Sequence, residues 1–322
     1  RQIVNEKGWV SHDLNEIYRN TVQTVKTLVT ESGVAPETIA GIGISNQRET
    51  TAIWDKATGE PLEEAIVWQC GRASGIAQEI AEQGHAEEIR EATGLRLSAY
   101  FPAAKMAWLL RNGGEERQKR AADGKLCLGT IDSWLVYKLT GDHAFKTDFS
   151  NASRTQLFNL KTLAWDEKIC EMFGIPVCAL ARVCDSDAVY GTTTMEGLFS
   201  EPVPICGVLG DSHAALFGQG CLKPGMIKAT YGTGSSLMMN IGDKPIKSSH
   251  GVVTSLAWGR GGKVDYVLEG NLNYTGAVIT WLKDDLKLIS SAKETEGLAG
   301  EANPADRTYL VPAITGLGAP YW

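Results

Sequence analysis

The first strong pattern in the sequence is a run of apolar positions at helical spacing. Steps of three and four residues predict a helix over residues 14–32. Asp13 is typical of an N-cap, and Gly33 is typical of the residue that ends a helix. The positions that define the stripe are Leu14, Ile17, Thr21, Val25 and Leu28.

Short apolar runs bounded by turn residues predict the strands. We expect strands at residues 40–45, 51–54, 65–68, 203–209 and 264–269, and a hairpin over 227–240 with Gly232-Thr233-Gly234 at its turn. Helices are expected to dominate residues 73–139 and to recur at 162–174, 212–217 and 274–286. Strands mixed with helices indicate an α/β fold with mixed sheets.

The length and one break in the pattern predict two domains. A chain of 322 residues exceeds the usual size of a single core. The stretch at 218–225, which reads Gly-Gln-Gly-Cys-Leu-Lys-Pro-Gly, interrupts the periodicity. We therefore expect one domain over residues 1–218 and a second over residues 219–322.

Composition and charge indicate which partners and which cellular compartment to expect. The net charge is −7, and the one dense basic cluster, at 117–120, follows two glutamates, so a nucleic-acid surface is not expected. No apolar run is long enough to span a membrane, and the first residues lack the layout of a signal peptide. Seven cysteines without a C-x-x-C pair indicate free thiols in a reducing compartment, and hence a cytoplasmic protein.

Asp211 is the first candidate for chemistry. It stands where a predicted strand ends and a helix begins, which is the edge at which α/β proteins present ligands. A carboxylate there can take the proton of an attacking hydroxyl during phosphoryl transfer, and it can help to hold a metal ion. A plain helix N-cap explains the same residue equally well.

Further candidates are polar, aromatic and glycine-rich. Arg48 and Glu49 follow a predicted strand and can together grip two neighbouring hydroxyls, although a surface ion pair is the commoner role. Trp68 and Tyr100 can cover the carbon face of a polyol, although such rings more often pack in a core. The turn at 232–234 exposes N–H groups that can hold phosphate, although most such turns only connect strands. No Walker-type or dinucleotide-binding glycine motif is present.

Taken together, these motifs resemble the glycerol kinases, which belong to the carbohydrate kinase family that also holds gluconate, xylulose and fucose kinases. The likeness runs nearly end to end in collinear order. The segments that carry it are Gly43-Ile44-Ser45-Asn46-Gln47-Arg48-Glu49-Thr50, Ala65-Ile66-Val67-Trp68-Gln69-Cys70, Asn151-Ala152-Ser153-Arg154-Thr155, Tyr231-Gly232-Thr233-Gly234 and Leu317-Gly318-Ala319-Pro320-Tyr321-Trp322. The resemblance implies two actin-like, ribonuclease-H-like domains. From the resemblance we expect the first domain to lack its opening strands here and the second to be incomplete.

The resemblance also implies an activity. Kinases of this family use ATP and Mg²⁺ to phosphorylate a hydroxyl of a small polyol or sugar, which here is most simply the conversion of glycerol to glycerol 3-phosphate. The residue that matches Asp211 is the catalytic base and lies at the metal. Substrate-binding positions are matched by Arg48, Glu49, Trp68, Tyr100 and Asp211, and nucleotide-binding positions by Gly232, Thr233 and Gly276. Relatives are usually homodimers or homotetramers.

Departures from the family pattern bear on the substrate. Ser212 and His213 stand where Gln-Gln is usual, and Ser236 lies where glycerol kinases usually carry an aromatic residue, which leaves a roomier and more polar pocket. The substrate therefore stays open between glycerol and another small polyol or ketose, such as erythritol or xylulose. The family's opening Asp-x-Gly-Thr-Thr-Ser loop and its closing adenosine segment lie outside this stretch, which by itself is expected to be inactive.

Two alternatives belong to different classes. Residues 210–214 partly match the G-x-S-x-G elbow of α/β-hydrolases with Ser212 as nucleophile, but only His250 follows outside the motif and no oxyanion segment is present. The other alternative is a non-catalytic, actin-like binding protein. Arg48, Glu49 and Asp211 argue against it, because a binding module does not need all three together.

Overall fold

The computed structural model describes residues 1–313 and 317–320, so Tyr321 and Trp322 of the last motif lie outside the described residues. The helices are α1 (Leu14–Ser32), α2 (Ser74–Glu82), α3 (Ala86–Thr93), α4 (Pro102–Asn112), α5 (Gly114–Ala122), α6 (Ile131–Leu139), α7 (Phe149–Ser153), α8 (Glu167–Phe173), α9 (Asp211–Gly218), α10 (Gly276–Asp284) and α11 (Glu294–Glu301). The strands are β1 (Ile3–Val4), β2 (Val10–His12), β3 (Ile42–Asn46), β4 (Thr51–Asp55), β5 (Ala65–Ile66), β6 (Leu126–Thr130), β7 (Lys146–Asp148), β8 (Phe158–Asn159), β9 (Ala164–Trp165), β10 (Arg182–Cys184), β11 (Gly191–Thr193), β12 (Val203–Gly210), β13 (Ile227–Tyr231), β14 (Ser235–Gly242), β15 (Val253–Arg260) and β16 (Lys263–Leu272).

The strands form three main sheets and two short pairs. Five strands are ordered β1-β2-β5-β4-β6 and pair antiparallel. Three strands are ordered β11-β12-β3, and four antiparallel strands are ordered β13-β14-β16-β15. The parallel pair β7–β10 and the antiparallel pair β8–β9 complete the set. The combination confirms the expected α/β fold with mixed sheets.

Local chemistry explains the first helix, α1, whose predicted bounds are confirmed. The Asp13 carboxylate accepts hydrogen bonds from the backbone N–H groups of Asn15 and Glu16 at 2.8 and 3.0 Å, which satisfies donors that the helix itself cannot. Gly33 ends the helix with a φ of 68°, a conformation that costs glycine little. Leu14, Ile17 and Val25 of the predicted stripe pack in one cluster with α6, whereas Leu28 is 64% exposed. The Trp134 indole N–H donates to the Leu14 carbonyl at 3.0 Å.

Two large apolar clusters occupy the first two-thirds of the chain. One packs α2, α4 and α8 around Ile53 and Ile66 of the five-stranded sheet. The other packs α1 and α6 around Trp54, whose ring makes edge contacts with Trp134 at a centroid distance of 5.3 Å. A smaller cluster joins α9 to the four-stranded sheet through Leu216. The sheets are thereby fixed to the helices that begin at their edges.

The parallel pair β3–β12 positions the residues of interest. Gly210 at the end of β12 lies opposite Asn46 at the end of β3. Because parallel strands share one carboxyl edge, the loop after β3 and the start of α9 emerge side by side. Arg48, Glu49 and Asp211 therefore meet at this edge.

Several predicted elements differ from the structure. The mainly helical region predicted at 73–139 contains the strand β6, whose residues are all buried, and a short buried apolar run does not distinguish strand from helix. The helix predicted over 162–174 is confined to α8, because Ala164 and Trp165 pair as strand β9. Strand β15 was not predicted, although it pairs with β16 along its whole length. The predicted hairpin with its turn at 232–234 is confirmed.

Candidate active site

A buried polar network joins the ends of β3 and β12. The side-chain amides of Asn46 and Asn151 exchange two hydrogen bonds of 2.9 and 3.1 Å. Asn151 also donates to the Asp148 carboxylate at 2.9 Å, and the Ser150 hydroxyl accepts from the backbone N–H of Gly210 at 2.9 Å. Because buried polar groups are costly when unpaired, these bonds fix α7 against both strand ends.

Arg48 is held by a carboxylate from the four-stranded sheet. Its Nη1 and Nη2 donate to the two carboxylate oxygens of Glu269 at 2.8 and 2.7 Å, a bidentate geometry. Its Nε lies 3.3 Å from Oδ1 of Asp211. Burial alone would raise the pKa of Glu269, but the charges of Arg154 and Arg48 outweigh burial and hold that pKa well below its usual range. Glu269 is therefore a permanent anion that fixes the Arg48 fork.

Glu49 belongs to the same buried ion cluster. Its backbone has a φ of 60°, which is unusual for a residue with a side chain. Its Oε1 accepts from Nε of Arg154 at 2.6 Å, and Nη1 of Arg154 lies 2.9 Å from Oε2 of Glu269. The second contact is an ion pair without hydrogen-bond alignment. We name Arg48, Glu49, Arg154 and Glu269 the buried ion cluster.

Asp211 is the exposed acid beside that cluster. Its side chain is 55% exposed, whereas that of Arg48 is 5% exposed. It is the first residue of α9, and its Oδ1 accepts from the backbone N–H of Ser212 at 2.6 Å. The carboxylate is accessible to a ligand on one side and anchored to a fixed guanidinium on the other. Such a group can accept a proton from a bound hydroxyl.

Trp68 and Tyr100 form an aromatic pair beside Glu49. Their ring centroids are 5.9 Å apart at an interplanar angle of 65°. Trp68 is 37% exposed, and its backbone N–H donates to the Thr50 hydroxyl at 3.2 Å, which ties the pair to the loop after β3. Burial, and then the charge of Glu49, raises the pKa of the Tyr100 phenol. The phenol therefore stays protonated and can donate a hydrogen bond.

The turn at 232–234 packs against the start of α10. The backbone N–H of Gly276 donates to the Gly232 carbonyl at 2.9 Å, and that of Ala277 donates to the Thr233 carbonyl at 3.1 Å. A Cβ atom at Gly276 would lie 2.6 Å from the Gly232 oxygen, so only glycine fits this approach. The structure thus brings together the three positions that match nucleotide-binding residues.

Ser236 and Lys228 lie on neighbouring strands of the same sheet. The Lys228 amine donates to the hydroxyls of Ser236 and Thr230 at 3.2 and 3.0 Å. Burial lowers the pKa of Lys228, and the nearby carboxylate of Glu269 acts in the opposite direction. Ser236 is therefore part of a polar patch rather than an apolar wall.

The geometry gives no support to a hydrolase triad at Ser212. His213, the next residue, is fully buried and its Nε2 lies 3.4 Å from the Ser255 hydroxyl. Burial, and then the charge of Arg48, lowers the pKa of His213 well below its usual value. His250 instead contacts the Ser249 hydroxyl at 3.0 Å. No histidine of the described residues is positioned to activate Ser212.

A metal ion in this site would need ligands from a bound substrate. Within residues 1–313 and 317–320, no three acidic, histidine or cysteine side chains converge in a way that could hold a metal. Asp211 offers one exposed carboxylate, and Mg²⁺ is typically held by one or two carboxylates together with phosphate oxygens and water. The available ligands therefore fit a Mg²⁺ ion that is bound mainly by phosphate oxygens.

No helix in the described part of the chain is both long and apolar enough to cross a membrane.

The sequence proposes Asp211, Arg48 and Glu49 as candidate site residues but gives no role to Arg154 or Glu269. Arg154 stood inside a recognised segment, and Glu269 ended a predicted strand. No local signal marks Glu269, because the same strand also carries Lys263 and Asp265. Its partner lies 221 positions earlier in the chain.

Comparison with known proteins places these features in a family. The model of the N-terminal domain of the FGGY family of carbohydrate kinases matches residues 1–218, and that of its C-terminal domain matches residues 227–322. The chain is 49% identical over 322 residues to glycerol kinase 2 of Thermotoga maritima and 47% identical over 321 residues to glycerol kinase of Oceanobacillus iheyensis. It covers 64% of each of these relatives, and each match spans 100% of the chain.

Solved structures agree with this assignment. Glycerol kinase of Plasmodium falciparum, crystallised with ADP, superposes with a TM-score of 0.90 at 33% identity, and the match covers 100% of this chain and 64% of that one. A xylulose kinase of Lactobacillus acidophilus superposes with a TM-score of 0.86 at 23% identity, over 100% of this chain and 64% of that one, which supports the fold alone. The actin-like, ribonuclease-H-like architecture expected from the sequence is confirmed. The chain belongs to the FGGY family of carbohydrate kinases.

Proposed function

We propose that the full-length protein phosphorylates a hydroxyl of a small polyol with ATP, and that glycerol is the preferred substrate. The relatives named glycerol kinase support this substrate. One observation carries the proposal: the exposed Asp211 carboxylate lies 3.3 Å from the buried, clamped guanidinium of Arg48. An accessible base next to a fixed donor is what a hydroxyl nucleophile requires.

In this proposal, each residue near the cluster has a stated task. Arg48 and Glu49 orient neighbouring hydroxyls of the polyol, one by donating and the other by accepting hydrogen bonds. Trp68 covers the carbon chain, and the phenol O–H of Tyr100 donates a hydrogen bond to a substrate oxygen. Asp211 takes the proton of the reacting hydroxyl. At the same time the hydroxyl oxygen bonds to the γ-phosphorus of ATP, and the bond between that phosphorus and the bridging oxygen breaks to release ADP.

The nucleotide lies in this proposal at the turn formed by Gly232 and Thr233 and at the start of α10, with Gly276 permitting the close approach. Backbone N–H groups in such a turn can bind phosphate oxygens. Asp211 would hold Mg²⁺ together with the phosphates. The ion supplies positive charge that neutralises the transferring phosphoryl group.

Four further proposals concern the whole protein. We propose a division into an N-terminal domain at 1–218 and a C-terminal domain at 219–322, a homodimeric or homotetrameric state, and a small-molecule rather than nucleic-acid partner. We also propose a cytoplasmic location, which the seven free cysteines support. Size-exclusion chromatography with light scattering tests the oligomeric state directly.

The activity is tested by ADP release from the full-length protein with ATP and Mg²⁺. The substrate panel is glycerol, dihydroxyacetone, erythritol, xylulose and ribulose. We expect the largest kcat/KM with glycerol. A larger kcat/KM with a four- or five-carbon substrate would indicate that the polar patch at Ser236 selects a larger substrate than glycerol. If no substrate of the panel leads to ADP release, the kinase proposal is refuted.

The Asp211→Asn variant tests the base. We expect turnover to fall by roughly a thousandfold or more, while ATP binding measured by calorimetry is retained. Asp13→Asn is the matched control, because Asp13 is also an exposed helix-terminal aspartate, 46% exposed, yet lies at the start of α1. Loss of activity in both variants, or retention in both, would contradict the role of Asp211.

A further inference from the structure

Lys105 is a fully buried lysine near the start of α4. Its ammonium group donates to three backbone carbonyls, those of Glu49, Trp68 and Tyr100. The distances from Nζ to the carbonyl oxygens of Glu49 and Trp68 are 3.4 and 3.2 Å. A lysine ammonium has three N–H donors, so each donor finds one acceptor.

The three carbonyls belong to three separate segments of the chain. Glu49 lies in the loop after β3, Trp68 follows β5, and Tyr100 precedes α4. These are three of the positions proposed to contact the polyol. One buried ammonium therefore sets the relative placement of residues that come from three different loops, and the Tyr100 ring lies 5.8 Å from the same nitrogen.

The surroundings make this ammonium easy to deprotonate. Burial lowers the pKa of Lys105 to about 7, while the charges of Glu49 and then Cys70 act in the opposite direction. The Cys70 sulfur itself accepts from Nε of Arg72 at 3.1 Å. A neutral amine has only two N–H donors, so one carbonyl loses its partner when Lys105 loses a proton.

The elements packed against α4 leave Lys105 without a direct competing charge. These elements are β4, α2, α5 and α8, and their charged side chains are either exposed or paired elsewhere. The pairs are Glu79 with Arg111, Arg117 with Glu63, Arg120 with Asp55, and Lys168 with Glu88. The groups that act on Lys105 are therefore Glu49, Cys70 and the Tyr100 ring.

We propose that Lys105 is a positioning residue for polyol binding, holding Glu49, Trp68 and Tyr100 in one arrangement only while its amine carries three protons. This inference rests on the proposed kinase function. It adds a residue that does not touch the substrate and predicts how binding responds to pH. The polyol site loosens as the pH rises through the pKa of Lys105, whereas the nucleotide turn is unaffected.

The test compares Lys105→Met with wild type in the full-length protein, with Lys138→Met as control. Lys138 is a part-buried lysine whose amine contacts one carbonyl, that of Gly59, at 3.5 Å. Lys105→Met removes all three hydrogen bonds of the amine. We expect the KM for the polyol to rise by roughly tenfold or more, because the loss of a single hydrogen bond already corresponds to about that factor. The KM for ATP should stay within about twofold of wild type. Lys138→Met should leave both values unchanged.

Two further readouts separate positioning from a general loss of structure. In wild type, the polyol KM should increase from pH 6 to pH 9 with a midpoint near 7, and this dependence should be absent in Lys105→Met. An equal rise in both KM values, or a wild-type polyol KM that does not change over this range, would overturn the proposal. A flat wild-type profile overturns the proposal even if the variant does not fold.

Hydrogen exchange makes the test independent of catalysis. In the wild-type protein, protection of residues 47–50, 68–70 and 98–101, corrected for intrinsic exchange, should fall between pH 6.5 and 8.5, while the 232–234 turn keeps its protection. Unchanged protection in the three segments overturns the role of Lys105. If no polyol is phosphorylated but protection falls as stated, the proposed function fails and the positioning role stands.

Discussion

Replacing Glu269 by glutamine tests the buried ion cluster. The cluster has two positive side chains, Arg48 and Arg154, and two negative ones, Glu49 and Glu269, so it is neutral as a whole. Glutamine keeps the shape of the side chain but removes one negative charge. The variant then contains two buried guanidinium groups and a single carboxylate.

The structure gives the size of the effect. Glu269 receives two hydrogen bonds from Arg48 at 2.8 and 2.7 Å and an ion-pair contact from Arg154 at 2.9 Å, and all three side chains are at most 5% exposed. Removing one partner of a buried ion pair typically costs about 3–5 kcal/mol, because the remaining charge has no compensation. We expect a loss of free energy of unfolding of that order.

The measurement is urea unfolding of the full-length protein, followed by fluorescence, with Glu79→Gln as the matched control. Glu79 pairs with Arg111 at 2.6 Å, but both side chains are over 40% exposed. Exposed pairs contribute little to stability, so the control should unfold at nearly the wild-type urea concentration. If Glu269→Gln and Glu79→Gln lose the same free energy of unfolding, burial does not increase the contribution of the ion cluster to stability. That result would refute the reasoning.

The acidity of Glu269 adds a second signature. Its pKa is depressed in the folded state, so its stabilising contribution is complete above the unfolded value of 4.5 and is lost as the pH falls towards the folded value. The stability difference between wild type and Glu269→Gln should therefore be constant at neutral pH and shrink below about pH 4.5. A difference that grows on acidification would contradict the assigned direction.

Two further predictions concern neighbouring sites. In Gly276→Ala, the new Cβ would lie 2.6 Å from the Gly232 carbonyl oxygen, so the turn must shift, and we expect the KM for ATP to rise by roughly tenfold while the polyol KM is unchanged. Gly75→Ala is the control, because nothing lies within 4 Å of its added Cβ, and equal kinetics in the two variants would refute the close-approach argument. His213 is buried neutral with a lowered pKa, so wild type should lose about 1 kcal/mol relative to His213→Gln as the pH falls from 7.5 to 5.5, because the unfolded chain gains a proton there. Parallel pH dependence of the two proteins in thermal unfolding would show that His213 does not titrate as assigned.

Local features of this fold were predictable from the sequence because their causes are local. The cap at Asp13, the stop at Gly33 and the turn at 232–234 act over a few residues, and each was predicted correctly. Strand β6 was missed because a buried strand and a buried helix segment show similar apolar runs. The difference between them depends on neighbouring strands that are distant in the chain. Residues 253–260, which form β15, were assigned no element.

Some residues of the candidate site could likewise be predicted from local sequence, and others could not. Arg48, Glu49 and Asp211 follow strand ends, so sequence position alone suggested an edge where they meet. Glu269 and Lys105 could not be assigned, because their roles are defined by partners 221 and up to 56 positions away. No local pattern specifies that one ammonium will face three carbonyls. Only the folded arrangement of the loops gives these residues a task.

The bond between Arg48 and Glu269 also limits how this chain can be recombined with other kinases. Arg48 belongs to the segment that matches the N-terminal family model, and Glu269 to the segment that matches the C-terminal one. A chimera that joined residues 1–218 to a foreign second half would inherit two buried guanidinium groups. The second half would have to supply an acidic residue at the strand position that pairs with Met238, where Glu269 lies in this chain. Without it, the hybrid would contain a buried guanidinium whose charge has no partner. The two halves of this protein are therefore interchangeable only as an electrostatically matched pair.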